Sequence, residues 1–353
     1  MIVDEFVRNP GSWLSSGQDM QIVISSRVRL ARNVRDSYFP GWIGEKERVE
    51  LCNGLRGMLV KAASLINPVV LDMSSLAQVD KEVLKERHLI SNEFSGRGLG
   101  SALVVSEDER IAIMINEEDH LRLQAMSSGI NLEQVWKKID AVDSELEKYI
   151  RFAYSSRLGY LTSCPSNVGT GLRASVMMHL PGLRLTNEIE SVVKGLHRTG
   201  FEVRGLSGEG TEASGNMFQI SNRITLGERE EVIIRQLTAV VEDVVGHERN
   251  ARARLMEQKH VLVMDHIGRA LGVLMHARML TSVEVINFLS ALRFGIELDI
   301  VQNLSVCRVN EVMLLTQPGH LLKIAGKDLS AEDRDILRAE IVKEKIKEAK
   351  IIS

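Results

Sequence analysis

The chain has 353 residues, enough for about two domains, with 44% hydrophobic and 26% charged residues. Its 44 basic and 47 acidic residues nearly cancel, which argues against nucleic acid or an anionic membrane as the main partner. Cys52, Cys164 and Cys307 lie far apart without metal-ligand spacing, no apolar run reaches membrane-span length, and Met1–Glu5 lacks a signal-peptide pattern. A cytoplasmic protein is expected.

In chain order, residues 20–28 read as a strand, with Ile22 and Ile24 alternating against polar neighbours. Residues 101–105 and 111–115 are apolar runs split by the acidic turn Glu107-Asp108-Glu109, a hairpin pattern. Residues 131 to about 157 carry an amphipathic helix, with Leu132, Val135, Trp136, Ile139, Val142, Leu146 and Tyr149 on one stripe and Asn131 with Gln134 as a capping box. A second helix spans about 187–197 and stops at Gly200. Strands at 201–206 and 217–220 follow, joined by a glycine-rich loop. From about 228 the pattern is helical, with breaks expected at Gly246, at Thr281-Ser282 and at Gln317-Pro318-Gly319, and Ser330 caps a last charged helix. The expected division is a mixed α and β domain over 1–255 and an all-helical domain over 256–353.

Four segments carry charge in patterns that suit chemistry. In Ser25-Ser26-Arg27-Val28-Arg29, the two arginines share one face of a strand and repel unless an anion sits between them. A solvated edge strand explains the pair equally well. Asn116-Glu117-Glu118-Asp119-His120-Leu121-Arg122 sets three carboxylates at a strand end, where a cation such as a guanidinium would relieve them; alone, it reads as an acidic surface turn. Cys164-Pro165-Ser166-Asn167-Val168-Gly169-Thr170-Gly171-Leu172-Arg173-Ala174-Ser175 has glycines that let backbone N–H groups approach an anion, but it is no Walker loop. A lone Cys164 is most simply an inert thiol. Arg204-Gly205-Leu206-Ser207-Gly208-Glu209 opens a glycine-rich loop suited to closing over a substrate, or to nothing more than joining two strands. Together they bring Arg27, Arg29, Arg122, Arg173 and Arg204 into one domain. Phosphoryl transfer needs that kind of positioned cationic charge.

These motifs, SSRVRLAR (25–32), NEEDHLR (116–122), CPSNVGTGLRAS (164–175) and RGLSGEGTEASGNMFQISN (204–222), resemble those of the phosphagen kinases, the creatine and arginine kinases, over residues 20–230. The resemblance implies an α+β fold, a large antiparallel sheet packed by helices. It implies ATP binding by Ser25–Arg29, His88, Arg122, Arg173–Met177 (including Ala174, Ser175 and Val176) and Arg204–Glu209 (including Gly205, Leu206, Ser207 and Gly208). It gives Glu118 and Glu209 the task of gripping the acceptor guanidinium, Glu118 as the better base, with Cys164 near it as a tuning thiol. Mg²⁺ is expected on the nucleotide, not in a protein cage. Making a guanidinium neutral at pH 7 costs roughly 7–9 kcal/mol, so a base acting late or in concert with transfer is required.

The small-guanidine enzymes of this family carry about a hundred helical residues before their catalytic domain, whereas here the SSRVR motif starts at Ser25, and the region after 255 has no counterpart in them. This pattern is similar to the bacterial protein-arginine kinases, whose acceptor is an arginine on a protein surface. That branch implies a homodimer, an activating partner McsA, and phosphoarginine marks read by the ClpC–ClpP protease. It also implies that Arg334-Asp335-Ile336-Leu337-Arg338-Ala339 binds phosphoarginine as a feedback site, Arg334 and Arg338 sharing one helix face. On periodicity alone that segment is a salt-bridged surface helix. Two other readings remain: a kinase for a small free guanidino compound, and an inactive phosphoarginine-reading adaptor.

Overall fold

A computed structural model describes residues 2–14, 20–205 and 213–352. Among them the strands are β1 (Val23–Arg32), β2 (Val69–Asp72), β3 (Ala102–Val105), β4 (Ile111–Ile115), β5 (Leu121–Ser128), the short pair β6 (Tyr154–Ser155) and β7 (Gly159–Tyr160), β8 (Leu172–His179), β9 (Phe201–Gly205), β10 (Met217–Asn222), and a second short pair, β11 (Val301–Gln302) and β12 (Lys350–Ile351). Eight of them form one antiparallel sheet in the order β2-β3-β4-β5-β1-β8-β10-β9, with β1 in its interior. The expected α+β fold is thus the observed one.

Alternation explains the layering. Val28 and Leu30 of β1, Leu121 and Leu123 of β5, and Leu172, Ala174 and Val176 of β8 all point to one face. There they meet the helices Glu45–Leu59, Leu132–Leu146 and Ile189–Arg198 and the first half of the helix Glu230–His276 in the largest apolar core. The opposite face is covered in two places. Over β2–β4, Leu71, Leu103, Val105 and Met114 pack with the helix Gln78–Glu86. Over β1 and β10, Ile24 and Met217 pack with the C-terminal helices. The middle of that face, over β5, β1 and β8, is left for a cavity.

Several expectations change. The first strand runs 23–32, and a register shift between Val23 and Ser25 breaks the simple alternation: Ile22 and Val23 join the large core while Ile24 turns to the other face. The helix from 132 ends at Leu146, not near 157, and Tyr149 is exposed. Residues 151–153 instead bond to the chain after β1, with Arg35 N donating to Arg151 O (2.8 Å) and Ala153 N to Asn33 O (2.7 Å). No capping box forms at Asn131, whose amide turns back to Ser127 Oγ (3.4 Å). Gly246 does not interrupt its helix, since one glycine costs only about 1 kcal/mol and Val244, Val245 and Glu248 around it are buried. The interruption is at Lys259 (φ −137°, ψ 32°). The expected boundary at 255/256 therefore falls inside one helix, Glu230–His276. The region after it is helical apart from β11 and β12. Its helix starts follow the expected signals: Thr281 and Glu284 form a capping box, Pro318 opens a helix, and Ser330 Oγ accepts from Asp333 N.

The end of β1 is pinned by charge. Arg32, 1% exposed, donates to Asp143 Oδ2 (2.6 Å) and Thr170 O (2.9 Å), and its guanidinium carbon lies 3.5 Å from the Tyr160 ring centroid. Removing one partner of such a pair leaves the other charge buried and uncompensated. Arg32→Ala should therefore cost about 3–5 kcal/mol of stability, read by urea denaturation, while the double change with Asp143→Ala recovers part of it.

Candidate active site

The strand register dictates the order of groups along the cavity. On β1 the residues facing it are Ser25, Arg27, Arg29 and Ala31; on β8 they are Met177, Ser175 and Arg173, opposite Ser25, Arg27 and Arg29 respectively. On β5, Met126 is opposite Arg27 and Arg122 opposite Ala31. The floor thus runs from apolar (Ile24, Met126, Met177) through paired arginines to Arg122. Next to it, Glu118 lines the wall. From Ser25 to Ala31 this spans about 20 Å at a strand's rise per residue, and the cavity holds about 1180 Å³.

The arginines are crowded. Arg27 donates to Gln219 Oε1 (3.0 Å) and Ser175 Oγ (3.4 Å). Arg29 Nε is buried and has no hydrogen-bond partner among the described residues. Burial first, then repulsion from Arg27, Arg122 and Arg173, pushes the Arg29 pKa well down, against the pull of Glu117. Arg27 is pushed down to about 10 by burial, Arg122 and Arg173. Two carboxylates hold the outer arginines. Glu117, 1% exposed, accepts from Arg122 (2.6 Å) and Ser91 Oγ (2.5 Å), and Glu202 pairs with Arg173 and with Arg204 (2.6 Å). Burial alone would raise the Glu117 pKa, but Arg122 and these hydrogen bonds hold it low.

The three adjacent carboxylates are not equivalent. Glu117 is an arginine anchor, and Asp119 Oδ1 accepts from Asn33 Nδ2 (2.5 Å) and Ser163 N (2.7 Å). Only Glu118 is exposed, with no hydrogen-bond partner for its carboxylate among the described residues. Burial, then Asp119 and Glu117, raises its pKa. Ser163 Oγ donates to Glu118 O (2.7 Å) and so ties the Cys164 loop to this corner, where Cys164 Sγ lies 3.0 Å from Ser166 Oγ. His88, in a left-handed conformation (φ 58°), lines the cavity edge-on to Trp13, and burial followed by Arg27 pushes its pKa down to about 4, so it is neutral at pH 7.

Ser25, Arg27, Arg29, His88, Glu118, Arg122, Cys164, Arg173, Ser175, Met177, Arg204 and Gly205 all line this one cavity. Ser26, Val28, Ala174 and Val176 do not: their side chains turn to the other face, where Ser26 Oγ donates to Gly129 O (2.7 Å). Leu206, Ser207, Gly208 and Glu209 lie outside the described residues. Arg334, Asp335, Arg338 and Ala339 are elsewhere, on the helix Ala331–Ile346. Arg338 is 2% exposed there and bound to Thr316 O (2.9 Å), Leu280 O (2.7 Å) and Asp335, with Ala339 in the core. Sequence reasoning missed the anchors Glu117 and Glu202, and also Gln219, Trp13 and Asn310. Cross-strand register brings Gln219 to the cavity and Glu202 to Arg173 at its edge, and helix docking brings Asn310. Among the described residues no group of three or more His, Cys, Asp or Glu could hold a metal ion, so a divalent ion is assigned to none of them.

A desolvated arginine among like charges, without a partner among the described residues, costs the fold stability. Arg29→Met should raise the melting temperature of the ligand-free chain, and lower affinity for inorganic tripolyphosphate roughly 10- to 150-fold, the worth of a charge-assisted contact, as read by scanning and titration calorimetry.

The family model of the ATP:guanido phosphotransferase C-terminal catalytic domain matches residues 58–251, and that of the protein-arginine kinase McsB C-terminal domain matches 260–351. A protein-arginine kinase of Geobacillus sp. (strain WCH70) is 42% identical over 95% of this chain and 94% of its own length; one of Halothermothrix orenii is 40% identical over 96% and 97%. Among solved structures, a duplicated taurocyamine kinase from Schistosoma mansoni with bound transition state analog components is 28% identical (TM-score 0.59), over 69% of this chain and 35% of that one. A lombricine kinase is 25% identical (TM-score 0.58), over 72% and 71%. An arginine-floored cavity, two family models that tile most of the sequence, and close relatives along almost its full length lead to one conclusion: the chain belongs to the protein-arginine kinase family of ATP:guanido phosphotransferases.

Proposed function

We propose that this enzyme transfers the γ-phosphoryl group of ATP to arginine side chains of proteins. The observation that carries the reading is the order along the cavity floor: an apolar end, then Arg27, Arg29 and Arg173, then Arg122 with Glu118 beside it. A nucleotide laid along β1 puts its base over Met126 and Met177, its phosphates over the arginines, and its terminal phosphoryl beside Glu118. Catalysis is then mostly electrostatic: fixed guanidinium groups stabilise charge spread over the transferring phosphoryl without reorganising. Mg²⁺, when bound, rides on the phosphates and neutralises part of their charge.

Glu118 has the features of a guanidinium acceptor and base. It is the one carboxylate of its cluster without a protein partner among the described residues, and its raised pKa strengthens it as a proton acceptor. The exposed Trp42 lines the same cavity and offers an aromatic face to a bulky acceptor. Support for a protein-borne arginine comes from the relatives' names and from their match over 95% and 96% of the chain. As part of this reading, phosphoarginine marks proteins for ClpC–ClpP, McsA activates the enzyme, the enzyme acts in the cytoplasm as a homodimer, and Arg334 with Arg338 senses phosphoarginine. Paired Arg334→Ala and Arg338→Ala changes should abolish that binding.

Incubation with ATP and either free arginine or a folded basic protein, followed by mass spectrometry without acid, should show phosphoarginine on the protein alone; turnover of free arginine only, or of neither, overturns the reading. Glu118→Gln should lower kcat by about 10²–10⁴. Because the base must be ionised, activity of the unaltered enzyme falls as pH drops through the raised Glu118 pKa. The acid limb of kcat/KM should therefore lie above the ordinary 4.5 of a glutamate and vanish in Glu118→Gln.

A further inference from the structure

At the apolar end of the cavity two buried groups, Trp13 Nε1 and the Asn310 carboxamide, have no partner among the described residues. Asn310, 3% exposed, sits in the helix Val306–Leu315 and lines the cavity, yet among the described residues neither its Nδ2 nor its Oδ1 has a hydrogen-bond partner. A buried carboxamide left in this state costs stability, so its retention among apolar neighbours points to a ligand that satisfies it. Met313 and Leu314, three and four residues on, share its helix face and line the same space. Leu314 packs with Trp13, Leu14 and Met126, while Val309 and Met313 belong with Ile24 and Met217. Asn310 therefore stands between two apolar clusters that extend the floor beyond Ser25 and Met177, with the Trp13 ring and the neutral His88 at the rim.

We propose that Asn310 reads the nucleobase of ATP, its carboxamide forming a two-point contact with the adenine edge while the methionines and Trp13 enclose the ring faces. The chemistry matches: Oδ1 accepts from the exocyclic N6 amine and Nδ2 donates to the adjacent ring nitrogen, the pairing that makes asparagine a reader of adenine elsewhere. Asn310 lies within residues 260–351 and outside the phosphotransferase family match at 58–251. The base subsite is thus completed by the C-terminal helical region, and nucleotide recognition depends on that region being docked. This inference rests on the phosphotransfer reading for the placement of the phosphates over Arg27 and Arg29.

The test is titration calorimetry of the full chain with ATP, with purine riboside 5′-triphosphate (which lacks the N6 amine), and with inorganic tripolyphosphate. The unaltered chain should bind ATP roughly tenfold more tightly than the purine analogue. Asn310→Leu, of similar volume and without polar atoms, should lose about 10- to 100-fold in ATP affinity and lose the preference. Its tripolyphosphate affinity should stay within about twofold, showing an intact phosphate clamp, and its ligand-free melting temperature should rise because two unpaired groups are gone. Asn310→Ala serves as the second variant, with the same loss of preference expected. ATP affinity or preference unchanged in both variants overturns the proposal, as does a parallel fall in ATP and tripolyphosphate binding. An unaltered chain that binds tripolyphosphate but does not distinguish ATP from the analogue overturns the base subsite and leaves the phosphate clamp standing; one that binds none of the three overturns both readings.

Discussion

Repulsion between like charges, held in place by a buried sheet, is the constraint on which the rest of this structure depends. Arg27, Arg29, Arg122 and Arg173 face one cavity from three neighbouring strands. They cannot move apart, because the residues alternating with them, Val28, Leu30, Leu121, Leu123, Leu172 and Ala174, are fully buried on the opposite face. A one-residue slip in any of these strands would exchange the two sets and bury the guanidinium groups in the core, so the hydrophobic face fixes the register and the register fixes the charges. Glu117 and Glu202 balance the outer arginines, while Arg29 Nε has no partner among the described residues. What binds there must be anionic, and a chain of phosphates has the length.

The C-terminal helices are part of this arrangement, not an appendage. They reach the sheet through Ile24 and Met217 and through a buried polar network. In that network Arg252 bridges Glu248 (2.6 Å) and Glu297, and His179, at the end of β8, bonds Ser290 (2.8 Å). Burial followed by Arg293 and Arg252 pushes the His179 pKa well down, so the imidazole is neutral and the network carries no extra positive charge. Further along, Glu86 accepts from Gly319 N (2.7 Å) and His320 Nδ1 (2.6 Å), so the same region grips the helix that leads to His88. Both rims of the cavity are therefore clamped by one set of helices, and displacement of these helices would alter the site without touching an arginine.

The carboxylate run at 117–119 shows how neighbours in sequence part company. The three look interchangeable in the primary structure. In the fold, Glu117 turns inward to Arg122, Asp119 is captured by Asn33 and the Ser163 backbone, and only Glu118 is exposed, its carboxylate without a hydrogen-bond partner among the described residues. Asp119 finds its partners 86 and 44 residues away, whereas Glu117 pairs with Arg122 five residues on and with Ser91. The Arg334–Ala339 motif makes the same point: helical spacing does place the two arginines together, but Arg338 is held by carbonyl groups of two other helix ends.

By itself, the sequence determined the reaction chemistry and most of the groups that carry it. Motif residues are local, and a strand's two-residue period is enough to put Arg27 and Arg29 side by side. Helix starts at Thr281, Pro318 and Ser330 were equally legible, since caps act within one turn. Helix ends and breaks were not. The stop at Leu146 reflects backbone bonds to residues after β1, and helix through Gly246 reflects burial of its neighbours, both long-range effects. Only the tertiary structure decided which carboxylate and which arginine lack a partner among the described residues, and that Asn310 lines the far end of the cavity. Those are properties of register and docking between segments distant in sequence, and local residue patterns carry no information about them.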